Sequence, residues 1–337
     1  MKRLSAGFCC LMFAVLAARA GETDLLLRAA RKAPDDLATL RAAGLPVVME
    51  TNPCLLLRGG TDTLQALRDR HYAVTILDRN ADSSDFVVVG LTELSDDSTP
   101  VPLVAQMVSS VNTTVIDQVW IDLTTNPPTG TRYSTNAGCT DAANYCYNKF
   151  VSYGVPVLYQ TWSAGNAPNV IGTIEGAVKP ASVFIVVGHL DDLPASGTAP
   201  GANDNATGTI NVLESARVMS CYAFRNTVKF LNVTGEEQGL YGSDAYAADA
   251  LSRGENILGV INMDMIGWQG DGIPAQENLD LNYNEPSTDL GVRFALAATT
   301  YGTGLAVDAF LCPSLSASDH YPFWTRGYKA VCGITDN

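Results

Sequence analysis

The chain has 337 residues, 47% hydrophobic and 17% charged, which excludes a disordered tail, a collagen-like fibre or a membrane bundle. Its 35 acids against 21 basic residues leave a formal net charge of -14, a balance that repels nucleic acid rather than binding it. Only three histidines occur, so chemistry that needs imidazole has few candidates.

Residues 1–20 read as a signal peptide. Lys2 and Arg3 make a charged start, an apolar run follows from Ala6 to Ala18, and Ala18-Arg19-Ala20 supplies the small residues of a cleavage site. The run is too short to span a bilayer of about 30 Å, and no other segment reaches transmembrane length. The expectation is a secreted or periplasmic protein, free of the membrane and monomeric. Export permits disulfides among Cys54, Cys139, Cys146, Cys221, Cys312 and Cys332, the local pairings being Cys139 with Cys146 and Cys312 with Cys332.

Residues 21–100 read as a small α+β unit with a linker. Helix patterns cover Asp35–Ala43 and Thr61–Arg70. Strand patterns cover Val47–Glu50, Cys54–Leu57, Ala73–Leu77 and Phe86–Leu91, and the polar stretch Ser95–Pro100 reads as the linker. The unit is either a pro-segment or an ordinary N-terminal domain. From residue 101 to 337 the pattern becomes α/β. Apolar runs at Val183–Gly188, Val228–Val233, Ile257–Met263 and Lys329–Thr335 predict strands covered on both faces. Helical spacing at Asp141–Tyr153, Thr207–Cys221, Gly239–Arg253 and Asp289–Tyr301 alternates with them. This predicts a three-layer, largely parallel twisted sheet with helices on both faces.

Three of those strands finish in residues that bind metals. They are Gly188-His189-Leu190-Asp191, Gly235-Glu236-Glu237 and Met263-Asp264-Met265, and in open α/β sheets sites form outside the carboxyl ends of strands. Asp264, flanked by Met263, Met265 and Ile266, is expected to be buried and to need a cation or strong donors. A fourth element, the loop Ala199–Gly208, opens a helix. Its glycines permit close backbone approach, and Asp204 reads either as a site residue or as a simple cap. Mixed nitrogen and oxygen ligands suit zinc, although manganese and cobalt also fit. Asp191, two residues beyond His189, is placed to accept the other imidazole proton. Of the pair Glu236-Glu237, one carboxylate can ligate while the other handles a proton.

These stretches resemble the secreted leucyl-type aminopeptidases of metallopeptidase family 28. The matching residues are His189-Leu190-Asp191, Ala199–Gly208, Gly235–Ser243, Asn262–Gly267, and Ser318-Asp319-His320 leading to Phe323-Trp324 and Gly327-Tyr328. The resemblance implies a zinc-exopeptidase fold and two zinc ions joined by a carboxylate and a water. It makes Asp204 the bridging ligand, with His189 and Asp264 completing one metal site and Glu237 ligating the other. Glu236 would be the general base, and the Asp204–Asn205 peptide would be cis. The implied substrates are peptides with a free N-terminus, cut after leucine or another hydrophobic residue.

In the family the second zinc takes a further histidine downstream of the Ser-Asp-His stretch, and this chain ends at Asn337 before such a segment. His320 falls in a stretch the family does not use for metal, and His71 reads as a surface residue. The expectation is therefore one complete site (His189, Asp204, Asp264) and a second with Glu237 and the shared Asp204 alone, as in a C-terminally truncated chain. Two other readings stand beside hydrolysis: a single-zinc relative that cyclises N-terminal glutamine, and a non-catalytic binding domain.

Overall fold

A computed structural model describes residues 25–30, 36–45, 47–50, 54–59, 66–67, 70, 74–78, 101–125, 130–268, 278–301 and 304–335. The signal peptide, the strand Phe86–Leu91, the linker, His71 and most of the helix Thr61–Arg70 lie outside them. No helix among the described residues is long and apolar enough to cross a membrane.

The N-terminal region holds an antiparallel sheet ordered β2-β3-β1-β4. Its strands are β1 (Leu25–Ala30), β2 (Val47–Glu50), β3 (Cys54–Gly59) and β4 (Val74–Asp78), with a helix at Asp36–Ala42. β1, one of its two inner strands, escapes sequence reasoning because Leu-Leu-Leu-Arg-Ala-Ala favours helix at least as well as strand.

The second sheet has eight strands, ordered β11-β10-β12-β9-β7-β8-β6-β5. At its centre β12 (Ala330–Thr335), β9 (Asn256–Met263), β7 (Lys179–His189) and β8 (Asn226–Val233) run parallel. β6 (Asn169–Ile174) and β10 (Leu279–Tyr283) flank them antiparallel, and β5 (Val157–Gln160) and β11 (Val307–Leu311) form the edges.

Alternation along a strand explains the three layers. On β7, Phe184 and Val186 enter one hydrophobic core while Val183, Ile185 and Val187 enter the other. The first core is closed by helices Thr113–Thr125, Ala137–Ser152, Ala206–Met219 and Thr288–Thr300, the second by Tyr241–Ser252 and Tyr321–Trp324. With Ile185, Val186 and Val187 fully buried, each contributing about 1.5–3 kcal/mol, the strand ends are held rigidly.

The two expected disulfides are absent: Cys139, Cys146, Cys312 and Cys332 are free. Cys139 and Cys146 share one helix, where seven residues put the Cα atoms about 10 Å apart, beyond the reach of roughly 7 Å that a disulfide spans. Cys312 follows β11, Cys332 lies within β12, and β10 separates those strands. Two strand spacings of about 4.8 Å again exceed that reach.

Candidate metal centre

Strand register brings the histidine and the acids together. β7 and β9 pair in parallel with Val187 beside Asn262, so two further residues on each set His189 beside Asp264. β8 pairs with β7 so that Val233 lies against His189, and the chain then turns through Thr234 and Gly235 into Glu236-Glu237. The fourth participant, Asp204, precedes the helix Ala206–Met219. Two glycines let that helix start approach the sheet: a Cβ on Gly188 would lie 2.8 Å from the Gly208 carbonyl carbon, and one on Gly208 would lie 2.2 Å from the Met263 oxygen.

His189 is 1% exposed, and its Nε2 stands 3.3 Å from an oxygen of Asp204, 3.3 Å from one of Asp264 and 4.0 Å from one of Glu236. Two groups of compact ligand atoms share this imidazole, His189 with Asp204 and Glu237, and His189 with Glu236 and Asp264. The structure thus gathers five of the six residues that the sequence nominated, His189, Asp204, Glu236, Glu237 and Asp264, around one imidazole. The Asp204–Asn205 peptide is cis.

Asp191 is fully buried, but its role differs in detail from the expectation. The Nδ1 of His189 lies 3.1 Å from the Asp191 backbone oxygen, while the nearer carboxylate oxygen is 3.9 Å away. The carboxylate instead accepts from the backbone N–H groups of Glu236 and Glu237, both at 3.3 Å. The strand ends at His189, and the Leu190 N–H bonds the Val233 oxygen, which turns the Asp191 side chain toward the Glu236-Glu237 loop. The residue therefore orients the imidazole with its main chain and the glutamates with its side chain.

Electrostatics at the crevice is that of crowded acids. Burial, with repulsion from Asp319, Asp264 and Asp191, pushes the Glu236 carboxyl up to about 9. Burial and Asp204 push Glu237 up to about 7, and burial does the same to Asp319. Burial disfavours a charged His189, but Asp264, Asp204 and Glu236 outweigh it and hold the imidazole well above its ordinary value. Burial also raises Asp264, yet His189 and a 2.6 Å hydrogen bond from Ser318 bring its carboxyl below the usual range. Several carboxylates in one sparsely solvated crevice call for a compensating cation.

The loop before the helix is sewn to the end of β9. Asn205 caps the helix, its Oδ1 accepting from Gly208 N–H at 2.7 Å and from Met265 N–H at 3.3 Å, and its Nδ2 donates to the Met263 oxygen at 3.1 Å. Asn203 Oδ1 accepts from Gly267 N–H at 2.9 Å, and Thr207 Oγ1 from Ile266 N–H at 3.0 Å. The glutamate loop is fixed from the other side. Asn169 accepts from Thr234 N–H and donates to the Gly242 oxygen, and Trp162 donates to Thr234 Oγ1.

Sequence reasoning missed Asn169, Trp162 and Arg132, which support the crevice from segments carrying none of its acids. Asn169 and Trp162 lie in or near strands with no local signal. His320 sits buried with Nε2 3.1 Å from the Leu315 oxygen and its ring edge on Trp324, outside both ligand groups.

The chain is similar to several known proteins. The profile described as "Peptidase family M28" matches residues 169–336, which include His189, Asp204, Glu236, Glu237 and Asp264. A protein of Leptosphaeria maculans named "Probable zinc metalloprotease" is 30% identical over 211 residues, covering 53% of this chain and 49% of the relative. One of Trichophyton verrucosum named "Probable leucine aminopeptidase" is 33% identical over 172 residues, covering 48% and 45%. The chain spans about half the length of the curated relatives it matches. Among solved structures, the Legionella pneumophila LapA aminopeptidase has the same fold, with a TM-score of 0.62 and 19% identity over 94% of this chain and 89% of that one. The match places residues 169–336 of the chain, and every residue of the candidate metal centre with them, in peptidase family M28.

Proposed function

We propose that the chain carries the active site of an exported zinc aminopeptidase, which removes leucine or another hydrophobic residue from the free N-terminus of a peptide. The observation that carries this is the convergence of Asp204, Asp264, Glu236 and Glu237 on one buried imidazole, in two overlapping ligand groups. The donor set, one nitrogen and several carboxylate oxygens, fits zinc. By the family resemblance His189, Asp204 and Asp264 would hold one ion and Glu237 with the shared Asp204 a second, whereas the compact groups divide the same residues as His189, Asp204 and Glu237 and as His189, Glu236 and Asp264. Zinc supplies Lewis acidity, polarising the scissile carbonyl and acidifying water.

The protein's own groups do the rest. Glu236 is less exposed than Asp204 and set against Asp319 and Asp264, a setting that raises its proton affinity until bound cations offset the neighbouring charge and leave its carboxylate ionised. As general base it accepts the proton of the attacking water and passes it to the leaving amine. Asp191 fixes the height of that carboxylate through the Glu236 and Glu237 amides. The acidic crevice would favour a protonated or metal-bound amino terminus over an internal segment of chain, which suits an exopeptidase. The charged start and apolar run of residues 1–20 support export.

Leucyl-anilide hydrolysis by the zinc-loaded protein tests the reading. Glu236→Ala should lower kcat by about 10²–10⁴-fold while leaving the zinc content unchanged. Turnover at the parental rate would remove Glu236 from the role of base. Zinc stoichiometry separates the readings further: two ions per chain support the aminopeptidase, one supports a cyclising enzyme or a damaged second site, and none a binding domain.

A further inference from the structure

Arg132 is among the largest fully buried side chains of the described residues, 1% exposed, and lies far upstream of every residue assigned to the metal centre. Its guanidinium spends its donors on main-chain carbonyls. Nε donates to Leu190 O at 2.8 Å, Nη1 to Pro200 O at 2.5 Å and to Leu123 O at 3.1 Å, and Nη2 to Gly201 O at 3.1 Å. Asp192 completes the surroundings, with an oxygen 3.3 Å from Nη1 and its other oxygen accepting from the Arg132 backbone N–H at 2.7 Å.

Those carbonyls belong to the two segments that must meet at the metal. Leu190 lies between His189 and Asp191, and Pro200 and Gly201 open the loop that leads to Asp204. The seat leaves no room for another residue on the loop: Gly201 has φ +50°, and a Cβ there would lie 2.5 Å from Nη2 and 2.6 Å from the Asp192 Cβ. The loop passes on to the helix through Ala206 N–H donating to Gly201 O at 3.0 Å. A fork of fixed geometry can span the two segments at once, whereas a single ammonium cannot.

We infer that Arg132, seated by Asp192, is a positioning residue for the metal centre, setting the distance between His189 and Asp204 by clamping their parent segments together. This rests on the zinc reading above and deepens it.

The test measures zinc affinity of the full chain by competition with a chromogenic chelator, beside the thermal stability of the metal-free protein. Arg217 serves as the comparison. It is a second buried arginine, paired with Glu214 at 2.6 Å and bonded to the Ser110 oxygen, near the far end of the same helix that Asp204 precedes. Arg132→Met should weaken zinc binding about 10–100-fold, the range found when groups that orient metal ligands are removed. Arg132→Lys should recover part of that loss and Asp192→Asn should show a smaller one. Arg217→Met should lower the melting temperature and leave zinc affinity unchanged. Parental zinc affinity in Arg132→Met, with a fall in stability matching that of Arg217→Met, overturns the inference alone. If Arg132→Met does not fold, parental affinity in both Arg132→Lys and Asp192→Asn overturns it equally. A parental protein that binds no zinc overturns the zinc reading itself, and the inference with it.

Discussion

At the scale of single residues, the sequence points to candidate ligands better than to what holds them. His189 and Asp264 stand out because each directly follows an apolar run, and Glu236-Glu237 because the paired acids come just after the run Val228–Val233, with Thr234 and Gly235 between. Asp191 was also visible, but its work was not: two-residue spacing suggested a carboxylate behind the imidazole, and the side chain faces the Glu236 and Glu237 amides instead. That depends on where the strand stops, which spacing does not encode. Asp191→Ala should leave those two amides without their acceptor, at a cost of about 1–3 kcal/mol each where water cannot replace it. Loss of stability and a drop in kcat are expected together, checked by thermal unfolding and by anilide hydrolysis. A variant with parental kcat would show that the glutamate loop keeps its position without Asp191.

At the scale of elements, the four central strands were legible because burial on both faces requires continuous apolar residues, as in β7 and β9. The flanking strands were not. β10 reads Leu-Asp-Leu-Asn-Tyr and β11 Val-Asp-Ala-Phe-Leu, short and mixed segments that become strands only by pairing with distant neighbours. The junction of loop and helix at residues 199–208 was half legible: glycine implied close approach, but not to which partner. Gly208 resolves the point. Helix propensity alone would make Gly208→Ala stabilising by about 1 kcal/mol. The new Cβ would however lie 2.2 Å from the Met263 oxygen and 2.5 Å from both polar side-chain atoms of Asn205. Overpacking of that kind costs about 1–3 kcal/mol or more, so the sign reverses. The variant should melt lower than the parent and bind zinc more weakly, because the helix start must withdraw from β9 and carry Asp204 with it. A higher melting temperature with parental zinc affinity would show that the contact relaxes locally.

At the scale of the whole molecule, the strand order brings together residues separated by tens of positions, and nothing local in the sequence specifies it. Its consequence is a concentration of like charge that no single segment displays, inside a protein that is already acidic overall. The pH dependence of stability follows, with the same sign for each group concerned. Glu236 and Glu237 have folded values raised from 4.5 to about 9 and about 7, so the folded chain binds their protons more tightly than the unfolded chain does. Their presence therefore lowers metal-free stability progressively as pH rises above 4.5, until Glu236 is ionised near 9. His189 is raised as well, so its contribution is complete below 6.5 and disappears as pH climbs through its folded value. His320, lowered from 6.5 to about 4, acts oppositely, but only on the acid side of 6.5. Among the described residues, the window from pH 6.5 to 9 thus reports on the metal centre and the adjoining Asp319, which burial raises to about 7 with the same sign. Without metal the melting temperature should fall steadily across it, whereas saturating zinc, which requires deprotonated ligands, should flatten the slope. Calorimetric titration in buffers of different ionisation enthalpy should register protons released on zinc binding, more of them at pH 6.5 than at 9. A metal-free melting temperature that stays level from pH 6.5 to 9 would mean that Glu236, Glu237 and His189 titrate as independent, solvated groups, and the crowded crevice would not be what drives zinc binding.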